Sequence, residues 1–185
     1  MAAETNTLSV PVRMDTAAFR EFSAFDVLTR QKRWRRPLLF AVLMLAFAVV
    51  CFTQVGQRQG AALLGTVLAV IGVGLPIVYF ATFFQSVNKQ AKRLKLETPR
   101  DVYRVELSDS GVRVLEAGKQ DKQKLVQHYE WNGLYGAWRT GTAVYLYVES
   151  GKAYLLPAAQ IPGGLDAAWK FVQEKLPAEK QHIVQ

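Results

Sequence analysis

Two stretches of this chain carry no charge, and nothing else in it constrains the fold as strongly. The first is residues 37–55 (PLLFAVLMLAFAVVCFTQV) and the second residues 59–86; Arg58 is the only charged side chain between Arg36 and Lys89. At about 1.5 Å per residue, a helix over 37–55 spans roughly 28 Å and one over 61–84 roughly 36 Å. The apolar layer of a bilayer is about 30 Å thick, so both lengths suffice to cross it, the second with some tilt. Helices apolar all round over such lengths are rare in soluble proteins. The sequence therefore predicts a transmembrane helical hairpin, 37–55 and 61–84. The apolar run starts behind a polar leader, too late for a signal peptide. Cys51 is the single cysteine, so no intrachain disulfide is expected; it reads as a small apolar residue facing helix or lipid.

Cations crowd the outer flanks of this hairpin. Arg30, Lys32, Arg33, Arg35 and Arg36 precede the first span, and Lys89, Lys92, Arg93, Lys95 and Arg100 follow the second. Cations beside a span are retained on the cytoplasmic side, which predicts cytoplasmic termini and an outward connector. Trp34, at the start of the first span, and Tyr79, Phe80, Phe83 and Phe84, at the end of the second, then share one headgroup level. Residues 1–36 are net +3, Arg58 adds one, residues 85–100 are net +4, and residues 101–185 are neutral, which together make the +8 of the chain. The charge thus gathers around the spans. A nucleic-acid-binding face needs cations clustered on the folded domain, so no nucleic-acid partner is expected. Arg30, Lys32, Arg33, Arg35, Arg36, Lys89, Lys92, Arg93 and Lys95 are candidate contacts for anionic lipid headgroups, at about 1 kcal/mol each near the surface. Because the hairpin is short, the two basic collars are expected to share one patch.

Within the spans, Gly65, Ala69 and Gly72 fall on one helical face, and Ala41, Leu45 and Ala48 on another. Small residues at this spacing let helices approach closely in lipid. Pro76 is expected to kink the second helix. No Asp, Glu, Lys or His lies mid-span, which argues against a proton relay or ion path within one hairpin.

The leader, residues 1–36, holds an alternating strand over 7–14 with Leu8, Val10, Val12 and Met14 on one side. Pro11 marks it as an edge strand. An amphipathic helix over 16–30 follows, with Asp15 or Thr16 at its cap and an apolar stripe of Phe19, Phe22, Phe25 and Leu28. It is expected to run on toward the first span. A basic linker, 85–100, leads to a different kind of sequence. Strands are predicted near 102–107, 112–115, 125–131, 134–139, 143–148 and 153–156, with a polar turn at 118–124. A final helix over about 164–176 carries Leu165, Ala168, Trp169, Val172 and Leu176 on one face. This predicts an antiparallel, bent sheet over 101–185 closed by a C-terminal helix, with Trp131 and Trp169 in its core. The fold class is α+β, a membrane hairpin plus a small β domain.

The run Tyr129-x-Trp131-x-x-Leu134-x-x-Ala137, the Tyr145/Tyr147 strand, then Ala153-x-Leu155-Leu156-Pro157 and a last helix with Trp169 resembles the C-terminal domain of YcxB-like bacterial membrane proteins. The order of strand, capped helix, two-span hairpin and β domain is similar over nearly the whole chain. The resemblance implies a fold like pleckstrin-homology domains, a bacterial inner-membrane location and no established activity. It makes Tyr129, Trp131, Leu134, Tyr145, Tyr147, Leu155, Pro157 and Trp169 structural residues. Ala158 departs from the basic residue that often follows the proline.

No catalytic pattern stands out. His128 lies in a strand and His182 near a fraying tail, and neither has a metal-ligand partner at useful spacing. No nucleophile elbow, phosphate loop or dinucleotide glycine pattern occurs. Gly151-Lys152 reads as a hairpin turn, and Pro162-Gly163-Gly164 as the entry to a helix. No cofactor or metal is expected. The expected function is a non-catalytic, membrane-anchored binding module with a protein partner or self-association. The alternatives are a structural or assembly subunit of a membrane complex and an unrecognised membrane enzyme.

Overall fold

The computed structural model describes residues 7–117 and 124–184; the turn expected at 118–124 falls almost wholly outside them. The chain is α+β and divides into two compact units. A β unit takes the described parts of Met1–Ala18 and Thr98–Gln185, and a helical unit takes Phe19–Glu97.

The β unit begins with the leader. Strand β1 (Leu8–Met14) pairs antiparallel with β2 (Arg100–Ser108), Val10 opposite Val105 and Met14 opposite Arg100. Two strands that would ordinarily be joined by a short turn are thus joined through the entire helical unit. Pro11 sits in β1, on the edge of the sheet, where the N–H it lacks costs no ladder bond. β3 (Gly111–Glu116) and β4 (Leu125–Tyr129) complete a four-stranded antiparallel meander. The second sheet has the order β7-β6-β5-β8, formed by β5 (Gly136–Arg139), β6 (Ala143–Glu149), β7 (Lys152–Pro157) and β8 (Gln181–Ile183). One bent sheet was the expectation; two sheets are present. Leu125–Tyr129 ends early because Trp131–Gly133 forms a short 3-10 turn.

Alternation along the strands builds a shared core. Val10, Val12, Val105, Leu107, Val112 and Val114 come from the first sheet, and Val144, Leu146 and Leu156 from the second. Helix α4 (Gly164–Lys175; α1 to α3 belong to the helical unit and its entry) adds Ala168, Trp169, Phe171 and Val172. Trp131 and Trp169 are both buried, as the sequence predicts. Trp131 donates its indole N–H to the Ser108 carbonyl at 2.9 Å. Trp169 has no partner for its indole N–H among the described residues. Tyr145 and Tyr147 alternate with the core residues of β6 yet are just as buried, because that strand is covered on both faces.

The tail corrects one expectation. His182 does not lie in a frayed end: β8 pairs parallel with β5, and the His182 ring stacks on Trp138 at 4.5 Å.

In the helical unit, α1 (Thr16–Ala24) starts where the Asp15 carboxylate accepts the Ala18 N–H at 2.8 Å. It passes into a π-helical turn, Phe25–Arg30, and does not continue into the first span. Residues 31–34 turn instead, with Lys32 at a positive φ of 51°. Helices α2 (Arg35–Thr53) and α3 (Ala61–Arg93) follow. Both are long and apolar enough to span a membrane. They pack on each other through the small residues: Ala41, Ala48, Gly65 and Gly72 are buried, whereas Leu39 and Leu63 are each 74% exposed. α3 is helical on both sides of Pro76 and runs well past Phe84, so most of the expected basic linker is helix.

Candidate anion site at the start of the first long helix

The Phe25–Arg36 segment fixes itself before it presents its cations. Asp26 accepts from Arg30 Nε at 2.6 Å and from the Gln31 side-chain amide. Arg30 is nearly buried in this pair, so it is committed to Asp26. The Trp34 indole N–H is held by the Leu28 carbonyl at 2.9 Å, and the Arg33 N–H by the Val27 carbonyl at 3.1 Å. The left-handed conformation of Lys32 breaks the helical path just ahead of α2.

That geometry encloses a cavity of about 660 Å³ lined by Gln31, Lys32, Arg33, Arg36, Pro37 and Tyr79. Three cations, a phenol and a proline ring are among its lining. No carboxylate occurs anywhere from residue 27 to 96, and Asp26, just before that run, is taken up by Arg30 and Gln31. Arg35 is exposed beside it.

The second collar is elsewhere. Lys89, Lys92, Arg93 and Lys95 are exposed, and Lys92 lies 4.0 Å from Glu97. Lys89 and Arg93 come ten and fourteen residues after Tyr79 on one continuous helix. At 1.5 Å per residue they stand roughly 15 and 21 Å further along its axis. The Debye length at physiological salt is about 8 Å, so the collars act as two separate groups. The single patch expected from the sequence is replaced by two tiers. What separates them is the extension of α3, beside which α1 runs: Phe19, Phe22 and Val27 face Phe83 and Val87 across a cavity of about 350 Å³, and Arg20 donates to Asn88 Oδ1 at 2.6 Å.

The β unit holds a polar cluster that sequence reasoning missed. Lys152 Nζ donates to Tyr129 Oη at 3.2 Å and to Gln127 Oε1 at 3.1 Å. Tyr129 and Tyr154 share a hydroxyl contact at 3.3 Å. The Tyr103 hydroxyl accepts the Leu155 N–H at 2.9 Å and donates to the Leu155 carbonyl at 3.3 Å. Burial raises Tyr103 well above the ordinary phenol value. The bond to Tyr129 raises Lys152, which is exposed and stays an ammonium. Such a group ties β4 to β7. The sequence singles out Tyr129 and the Gly151-Lys152 turn but gives no sign that they meet. Of the residues singled out by the family resemblance, Leu134, Tyr145, Tyr147 and Leu155 are buried, and Pro157 is half-buried at the end of β7.

Comparison with family models, with curated proteins and with solved structures gave no match to this chain.

Proposed function

We propose that the chain is a membrane-anchored, non-catalytic binding module. Its helical hairpin spans the bacterial inner membrane with both termini in the cytoplasm, and it presents a pleckstrin-homology-like domain there to a protein partner or a second copy. The observation that carries the reading is the insertion of two apolar helices between paired strands of a well-packed β unit. The helices leave Leu39, Val42, Leu63 and Val70 in the open, which suits contact with lipid and does not suit a soluble core. The meander, the second sheet and the closing helix support the domain assignment. The Lys/Arg asymmetry supports the orientation.

Labelling tests the orientation: a cysteine at Gln59 should react with an impermeant reagent from outside, and a reporter after Gln185 should be active only inside. Photo-crosslinking in native membranes tests the module. A crosslinker at exposed Val126 should capture a partner. Capture only from Leu39 or Leu63, with none from the β unit, would instead make the chain an assembly subunit held through its hairpin.

A further inference from the structure

We propose that the cavity formed by Lys32, Arg33, Arg36 and Tyr79 is a discrete binding site for the phosphodiester headgroup of one anionic phospholipid. This rests on the reading of α2 and α3 as membrane spans. It goes beyond a diffuse basic collar, because it assigns the lipid to one tier and one concavity.

Four observations converge on it. The site is concave, and its volume of about 660 Å³ admits a headgroup with its glycerol. Its lining is mixed: cations that bind a phosphate, and Pro37 and Tyr79, which suit the first apolar carbons. Its charge is unspent, since Asp26 is occupied by Arg30 and Gln31 and no acid follows until Glu97. Its place is the first turn of α2, immediately before the charge-free run from Pro37. Like charge disfavours a choline or a metal cation there. The upper tier, Lys89 to Lys95, has exposed cations on a helix surface and carries no comparable assignment.

The full chain, purified in a non-ionic detergent, is titrated with a short-chain phosphatidylglycerol, a matched phosphatidylcholine and inorganic phosphate, and occupancy is read by native mass spectrometry. One phosphatidylglycerol per chain should be retained in preference to phosphatidylcholine. The double substitution Arg33→Gln with Arg36→Gln should weaken it at least about tenfold, which is 1.4 kcal/mol. Lys92→Gln with Arg93→Gln should change it less than about twofold, under 0.4 kcal/mol by the same conversion. Lys32→Asn removes charge while tolerating the left-handed backbone, and should weaken binding even if the double variant folds poorly. Equal retention of the two lipids, or equal loss in both tiers, overturns the proposal. Displacement of the lipid by equimolar inorganic phosphate also overturns it and makes free phosphate the ligand. Labelling at Gln59 and crosslinking at Val126 do not depend on any of these results, so a failure of the lipid site is distinguishable from a failure of the module.

Discussion

The side-chain amide of Gln160 serves the backbone of Arg13 as a neighbouring strand would. Its Oε1 accepts the Arg13 N–H at 2.6 Å, and its Nε2 donates to the Arg13 carbonyl at 2.7 Å. β1 is an edge strand, and an open edge invites pairing with other chains. The amide closes that edge at Arg13, one residue before the strand ends. Each bond contributes about 0.5–1.5 kcal/mol net. Gln160→Ala is expected to lower the stability of the β unit by about 1–2 kcal/mol and to speed hydrogen exchange at the Arg13 amide. Unchanged exchange at Arg13 would show that the pair does not hold in solution.

The two buried glycines of α3 should respond differently to the same change. A Cβ at Gly72 would lie 3.0 Å from Leu45 Cγ and 3.3 Å from the Ala41 backbone oxygen. At Gly65 it would meet only the Phe52 ring, also at 3.0 Å. A ring can turn aside and a helix backbone cannot. Replacing Gly by Ala gains about 1 kcal/mol of helix propensity. Gly65→Ala is therefore expected to be neutral or stabilising. Gly72→Ala should be the more costly of the two, by about 1–3 kcal/mol, because it forces the helices apart. Unfolding in mixed micelles ranks the two, and the reverse order would place the helix seam elsewhere.

The two core tryptophans make a matched pair. Trp131→Phe removes a hydrogen bond to the Ser108 carbonyl, whereas Trp169→Phe removes an N–H that had no partner among the described residues. Both lose similar volume. The first should be the more destabilising by about 1 kcal/mol, the net value of one hydrogen bond. Equal losses in denaturant unfolding would mean that the Trp131 hydrogen bond contributes little.

Alkaline pH should act through Tyr103. Burial, the largest cause, lifts its phenol above 10.0. The folded state then holds the proton more tightly than the unfolded chain does. That contribution is complete below about pH 10 and is lost as pH rises toward the folded value, at up to about 1.4 kcal/mol per pH unit. Tyr154 is shifted in the same direction, again mainly by burial. Stability is expected to be flat between roughly pH 7 and 9 and to fall above 10. Tyr103→Phe should be less stable at neutral pH, because the Leu155 N–H loses its acceptor, but its decline should be shallower. An unaltered slope would assign the alkaline loss to other groups.

Local patterns read well from the sequence because they report local physics. The alternation of Leu8, Val10 and Val12 set their inward face, and both valines are fully buried. The spacing of Ala41, Ala48, Gly65 and Gly72 marked the seam between the helices. What sequence reasoning missed depends on distant partners. Nothing local in Gln181-His182-Ile183 shows that Trp138 and β5 will order it. The break at residues 31–34 lies in a run of cations, where neither glycine nor proline announces a turn. The two-tier arrangement of the cations follows from how far α3 continues past Phe84, and a polar surface stretch does not reveal that in advance.

The pairing of Leu8 with Leu107 has a consequence for the order in which this chain is made. A ribosome releases β1 before β2, its sheet partner among the described residues, which follows about a hundred residues later. The length-dependent cost of closing a flexible loop of that size is roughly 4 kcal/mol. A helical unit whose own entry and exit are already clasped, as Arg20 and Asn88 clasp them, shortens that loop before β2 emerges. Synthesis therefore lets the inserted helices assemble before β1 meets β2. Until then its edge stays open, and the nascent chain is most exposed to mispairing in that interval.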